Sequence, residues 1–97
     1  MVYFISRHLG AIEWIKRQAE WQIDCFLPHL EVEQLVEGDV VLGTLPLHLA
    51  AEVCAKGAAF YFLQLPQLLP LRGSEYSADD MEAMGCCLRR FEVRALD

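Results

Sequence analysis

The chain alternates short apolar runs with segments of helical spacing. Val2 to Ile5 is β-branched and aromatic and predicts a first strand. It ends at the polar turn Ser6-Arg7-His8-Leu9-Gly10. From about Ala11 to Glu20, Ile12, Ile15 and Ala19 form one stripe with Ala11 and Trp14 beside it, which predicts a helix. Ile23 to Leu27 is a second apolar run, closed by Pro28; the acidic stretch Glu31 to Asp39 reads as a turn or a short helical piece. Val40 to Gly43 predicts a third strand. It leads into Thr44-Leu45-Pro46, where Thr44 or Leu45 would cap a second helix with Pro46 in its first turn. That helix is expected to reach Lys56, with Gly57 as C-cap. Ala59 to Leu63 predicts a fourth strand, and Gln64 to Tyr76 a leucine- and proline-containing loop. Ser77 caps a third helix with Asp79 and Asp80 in its first turn, and Met81, Met84, Leu88 and Phe91 are spaced as its apolar face. Val93 to Leu96 reads as an edge strand or a tail.

Strands alternating with helices predict an α/β fold. The expectation is a compact, Rossmann-like, open and mostly parallel sheet of about four strands with about three helices. With 97 residues the chain is expected to form one domain, residues 1–97.

Composition sharpens this picture. Of the residues, 55% are hydrophobic, and mean hydropathy is +0.24. A chain this short buries only about 60–65% of its unfolded surface. The apolar excess therefore implies a sheet covered on both faces, a face buried against a second copy, or both. The net charge of −6 argues against tracking long nucleic acid, which needs many Lys and Arg. It leaves room for a small anion held by a helix N-terminus and one or two Arg. The most apolar segment, Ala58 to Leu71, is interrupted by Pro66 and Pro70 and is too short to span a bilayer. The chain opens without a basic stretch leading an apolar region, so a cytoplasmic location is expected. Cys25, Cys54, Cys86 and Cys87 form no CxxC pair and are expected to be buried or helix-packed free thiols.

In open parallel sheets, ligands bind beyond the carboxyl ends of the strands. Two strand-to-helix turns carry polar groups there: Ser6-Arg7-His8-Leu9-Gly10 and Gly43-Thr44-Leu45-Pro46. If the first and third strands are neighbours, these turns face one crevice with two hydroxyls, a guanidinium, an imidazole and free helix amides. That set suits a phosphate. The first turn is neither GxGxxG nor a P-loop. His48, Glu52 and Lys56 share one helix face, the usual form of a solvated face, but His48 lies in the first turn near the crevice. His29 has no evident partner, and three histidines without ligand spacing make a metal site unexpected. Arg89, Arg90 and Arg94 are explained by a helix C-terminus.

Tyr3-Phe4-Ile5-Ser6-Arg7-His8-Leu9-Gly10-Ala11-Ile12-Glu13-Trp14 resembles the opening of a small CRISPR-associated family, the sixteenth-numbered of the Csx series. Gly43-Thr44-Leu45-Pro46 with Leu49-Ala50-Ala51-Glu52-Val53-Cys54 is similar to it too, and Ser77 to Glu82 resembles its final helix. The resemblance implies a dimeric ring nuclease that opens cyclic oligoadenylates, chiefly cyclic tetra-adenylate, and switches off type III CRISPR signalling. On that reading the ribose 2′-hydroxyl attacks the adjacent phosphate, and neither metal nor cofactor is needed. Arg7 and His8 would be catalytic; Ser6, Gly10, Gly43, Thr44, Leu45 and His48 would bind the ligand. The rival expectations are a module that binds or sequesters the cyclic nucleotide without cutting it, and an interaction protein that docks through Gln64 to Leu71.

Overall fold

Paired strands and the helices that cross between them set the architecture. The computed structural model describes residues 1–65 and 76–97. In chain order it contains β1 (Val2–Ile5), α1 (Leu9–Lys16), β2 (Cys25–Leu27), a 3-10 turn (Val32–Gln34), β3 (Val40–Gly43), α2 (Leu47–Ala55), β4 (Ala59–Gln64), α3 (Ala78–Met84) and β5 (Cys87–Phe91). The sheet order is β2-β1-β3-β4-β5. The first four strands are parallel, and β5 runs antiparallel to β4. This is the expected open Rossmann-like sheet, with one strand more. The loop expected over Gln64 to Tyr76 lies mostly on 66–75, outside the described residues; Gln64 itself ends β4.

Strand alternation divides the core in two. Phe4, Leu42 and Leu63 meet Ala11, Trp14 and Ile15 of α1 and Ala78, Met81 and Met84 of α3 on one face. Ile5, Val41 and Phe60 meet Ala50 and Val53 of α2 on the other. Helices on both faces bury the sheet, which accounts for much of the apolar excess. α3 is clamped to α1 by Arg17–Asp79 at 2.9 Å and by the Gln18 amide donating to Glu82 at 3.0 Å. Ser77 caps α3 as expected: its hydroxyl accepts from Asp80 N, and the Asp80 carboxylate accepts from Ser77 N.

Several boundaries differ from expectation. α1 starts and stops earlier, at Leu9 and Lys16, so Gly10 lies within the helix. The N-cap of α2 is Pro46, and neither Thr44 nor Leu45 caps it. The largest correction is at the C-terminus. Gly85 adopts a left-handed φ of 74° and ends α3 one residue after Met84. Leu88 and Phe91 have helical spacing but belong to β5, where they take opposite faces: Leu88 packs with the α1/α3 cluster, and Phe91 lies against Phe62. The edge strand is therefore Cys87–Phe91, and Val93 to Leu96 is a tail beyond it. Arg89 and Arg90 stand on a strand, so no helix dipole explains them. All four cysteines are free thiols, as expected; Cys54 is half-buried on α2 against the core, Cys25 and Cys86 are half-buried, and Cys87 is exposed at the start of β5 rather than on a helix.

Candidate functional site at the β1/β3 switch point

β1 and β3 pair in parallel with Ile5 opposite Gly43, while the chain from β1 crosses through α1 to β2 on the other side. The direction of winding reverses between β1 and β3, and such a switch point opens a crevice at the strand carboxyl ends. The two polar turns leave the sheet there, side by side.

The first turn is tightly tied. Ser6 N donates to Leu27 O at 2.9 Å, and the Ser6 hydroxyl accepts from His8 N at 3.0 Å. That short serine turn directs the chain from strand into helix. Arg7 and His8 are exposed at its apex, with His8 at the N-cap of α1. The first helical bond runs from Ile12 N to His8 O, so the amides of Leu9, Gly10 and Ala11 have no intrahelical acceptor.

The second turn is shaped by Gly43. Its φ is +146°, and a Cβ there would stand 2.5 Å from Ile5 O. β3 therefore approaches β1 closely at the point where both end. Thr44 is exposed beyond it, and Leu45 is half-buried against the α2-face core. Pro46 O accepts from Leu49 N and Ala50 N, both at 3.0 Å, which leaves the Leu47 and His48 amides at the start of α2.

Two expected ligand residues have other neighbours. Gly10 packs α1 against the start of α3: a Cβ there would collide with the Tyr76 carbonyl. It lines a hollow with Leu9, Glu13 and Arg17 on one side and Ser77 and Asp79 on the other. His48 is exposed and lines a groove between α2 and the C-terminal tail with Glu52, Glu92 and Arg94. Sequence reasoning left His29 without a role. Topology brings it to the same end of the sheet, two residues past β2, and Pro28 closing the strand was the signal.

The perturbed titrating groups lie away from this crevice. Asp39 is buried beside β3 at the opposite end of the sheet. The Val36 amide, at 3.0 Å, and the Met1 ammonium, at 2.9 Å, hold its carboxyl below the usual range. Burial, with Cys87 adjacent, raises the Cys86 thiol and leaves little thiolate at neutral pH. Among the described residues, no group of three or more His, Cys, Asp or Glu is placed to hold a metal ion. No helix of the described residues is long and apolar enough to cross a membrane.

The fold and site thus define an α/β protein of Rossmann-like open-sheet class, with polar turns meeting at the switch point. The model of the family described as "Putative CRISPR-associated protein (Cas_VVA1548)" matches residues 3–94, and the chain belongs to that CRISPR-associated family. No curated protein and no solved structure matches it.

Proposed function

We propose that this protein is a ring nuclease of type III CRISPR defence, acting in the cytoplasm on cyclic oligoadenylate, chiefly cyclic tetra-adenylate. The observation that carries the reading is the pairing of Ile5 with Gly43, which sets Ser6-Arg7-His8 beside Gly43-Thr44-Leu45 at the switch point. Membership of a CRISPR-associated family supplies the biological setting.

The chemistry asks little of the protein beyond placement and charge stabilisation. The ribose 2′-hydroxyl attacks the adjacent phosphorus in line, the bond to the 5′-oxygen breaks, and a 2′,3′-cyclic phosphate end forms. Holding the attacking oxygen in line is by itself a large effect. Arg7 and the leading amides of α1 and α2 supply donors for the charge that grows on the phosphoryl oxygens. His8 takes the 2′ proton. Ser6 shapes the turn that presents both residues, and Thr44 and Leu45 line the opposite wall.

Incubation with cyclic tetra-adenylate followed by chromatography tests the reading. Linear products ending in a 2′,3′-cyclic phosphate are expected. Tight binding with the ring intact would replace the enzyme by a sequestering module.

A further inference from the structure

We propose that His29 is the second acid–base group of the ring-opening step, the proton donor to the leaving 5′-oxygen. The inference rests on the ring-nuclease reading and adds a residue to it.

The placement follows from register. β2 pairs with β1 through Tyr3–Cys25, Phe4–Phe26 and Ile5–Leu27, and the pairing runs one residue further through Ser6 N to Leu27 O. Neighbouring strands lie about 4.8 Å apart. The exit Pro28-His29 therefore stands beside the exit Ser6-Arg7-His8. Leu27 and Leu30 both pack on the α2-face core, so Pro28 and His29 form a short bend held at both ends, and both are exposed. The same apolar cluster holds Ile5 and Leu45, which belong to the β1 and β3 exits. Three strand exits thus rest on one cluster, and His29 stands at the exit next to that of β1, one strand from the switch-point crevice. His8 opens α1, which covers the other face of the sheet. The two histidines thus follow neighbouring strand exits at the same carboxyl edge.

Metal-free in-line transfer is accelerated by this division. The base belongs at the attacking oxygen and the acid at the leaving oxygen, on opposite sides of phosphorus. Neutral His8 accepts the proton of the 2′-hydroxyl as the 2′-oxygen–phosphorus bond forms. Protonated His29 gives its proton to the 5′-oxygen as the phosphorus–5′-oxygen bond breaks. The products are a 2′,3′-cyclic phosphate and a 5′-hydroxyl, with His8 protonated and His29 neutral; water resets both.

The test is single-turnover cleavage of cyclic tetra-adenylate across pH by the wild type, His8→Ala, His29→Ala and His29→Gln. A second ring carries sulfur in place of a bridging 5′-oxygen, because a thiolate leaves without a proton. The wild type is expected to show a bell-shaped profile. His29→Ala is expected to lose one limb, to slow about a hundred-fold or more on the oxygen ring, and to cleave the sulfur ring near the wild-type rate. His8→Ala is expected to stay slow on both. Wild-type cleavage with His29→Ala unimpaired, or equally slowed on both rings with both limbs retained, overturns the role of His29 alone. A wild type that leaves both rings intact overturns the ring-nuclease reading itself.

Discussion

The carbonyl oxygen of Ile5 stands 2.5 Å from the point where a Cβ on Gly43 would sit. This contact brings the ends of β1 and β3 close enough for their two turns to share a crevice. Glycine is required twice over, by space and by its φ of +146°. Gly43→Ala is expected to cost about 1–3 kcal/mol of strain and to weaken cyclic oligoadenylate binding as the turns separate. Chemical denaturation and a binding titration check both effects; a variant with unchanged stability and affinity would mean that the turns do not act together.

Arg7 should matter more in the transition state than in the bound complex. A guanidinium can donate to two phosphoryl oxygens, and those bonds strengthen as charge accumulates. Arg7→Ala is expected to lose roughly a hundred- to a thousand-fold in single-turnover rate, by analogy with removal of one oxyanion donor. Arg7 is exposed, so circular dichroism should show the fold intact. A near-normal rate would move the chemistry elsewhere, with Thr44 and His48 next to be tested.

Cleavage is expected to proceed without added metal, because in the proposed mechanism Arg7, His8 and backbone amides would serve in-line attack by the 2′-hydroxyl. Rates measured with and without a chelator should agree within error. Abolition by the chelator and recovery with a divalent ion would demand a different mechanism.

Asp39 gives the stability a defined acid dependence. The Val36 amide and the Met1 ammonium favour its charged form, so its pKa is lower in the folded than in the unfolded chain. Its contribution is therefore complete above the unfolded carboxylate value, about 3.9, and is lost as pH falls through the lower folded value. Denaturant midpoints measured from neutral pH downward should drop less steeply for Asp39→Asn, which should also be the less stable protein at neutral pH. Parallel curves for the two proteins would remove Asp39 from this role.

Self-association is expected through the face beside α2 and β5. Leu45, Leu47, Ala50, Phe60, Phe62, Phe91 and Val93 line an apolar hollow there, with Leu47 74% and Phe91 37% exposed. Exposed apolar surface of this kind marks contact sites. Light scattering should give the mass of a homodimer, and Phe91→Asp should shift it toward the monomer. A wild type that is monomeric with and without ligand would contradict this.

Local chemistry made several elements legible. The β-branched run Val2–Ile5, the strand Val40–Gly43 and the Ser77 capping box need no distant partner to be recognised. Alternating strands and helices likewise implied the open parallel sheet, and the polar turns after β1 and β3 were visible as candidate chemistry. Tertiary structure decided what local spacing left ambiguous. Leu88 and Phe91 fit a helix by period, yet Gly85 stops α3, and pairing with β4 makes the segment a strand whose side chains separate to opposite faces. Gly10 reads as a turn residue but is a packing residue, because α3 starts against α1 from more than sixty positions away. His29 had no evident partner along the chain, and the parallel pairing of β1 with β2 sets its strand exit beside the one that carries Ser6. Periodicity reports which side of an element is apolar; which elements then lie side by side depends on contacts between residues far apart in the chain.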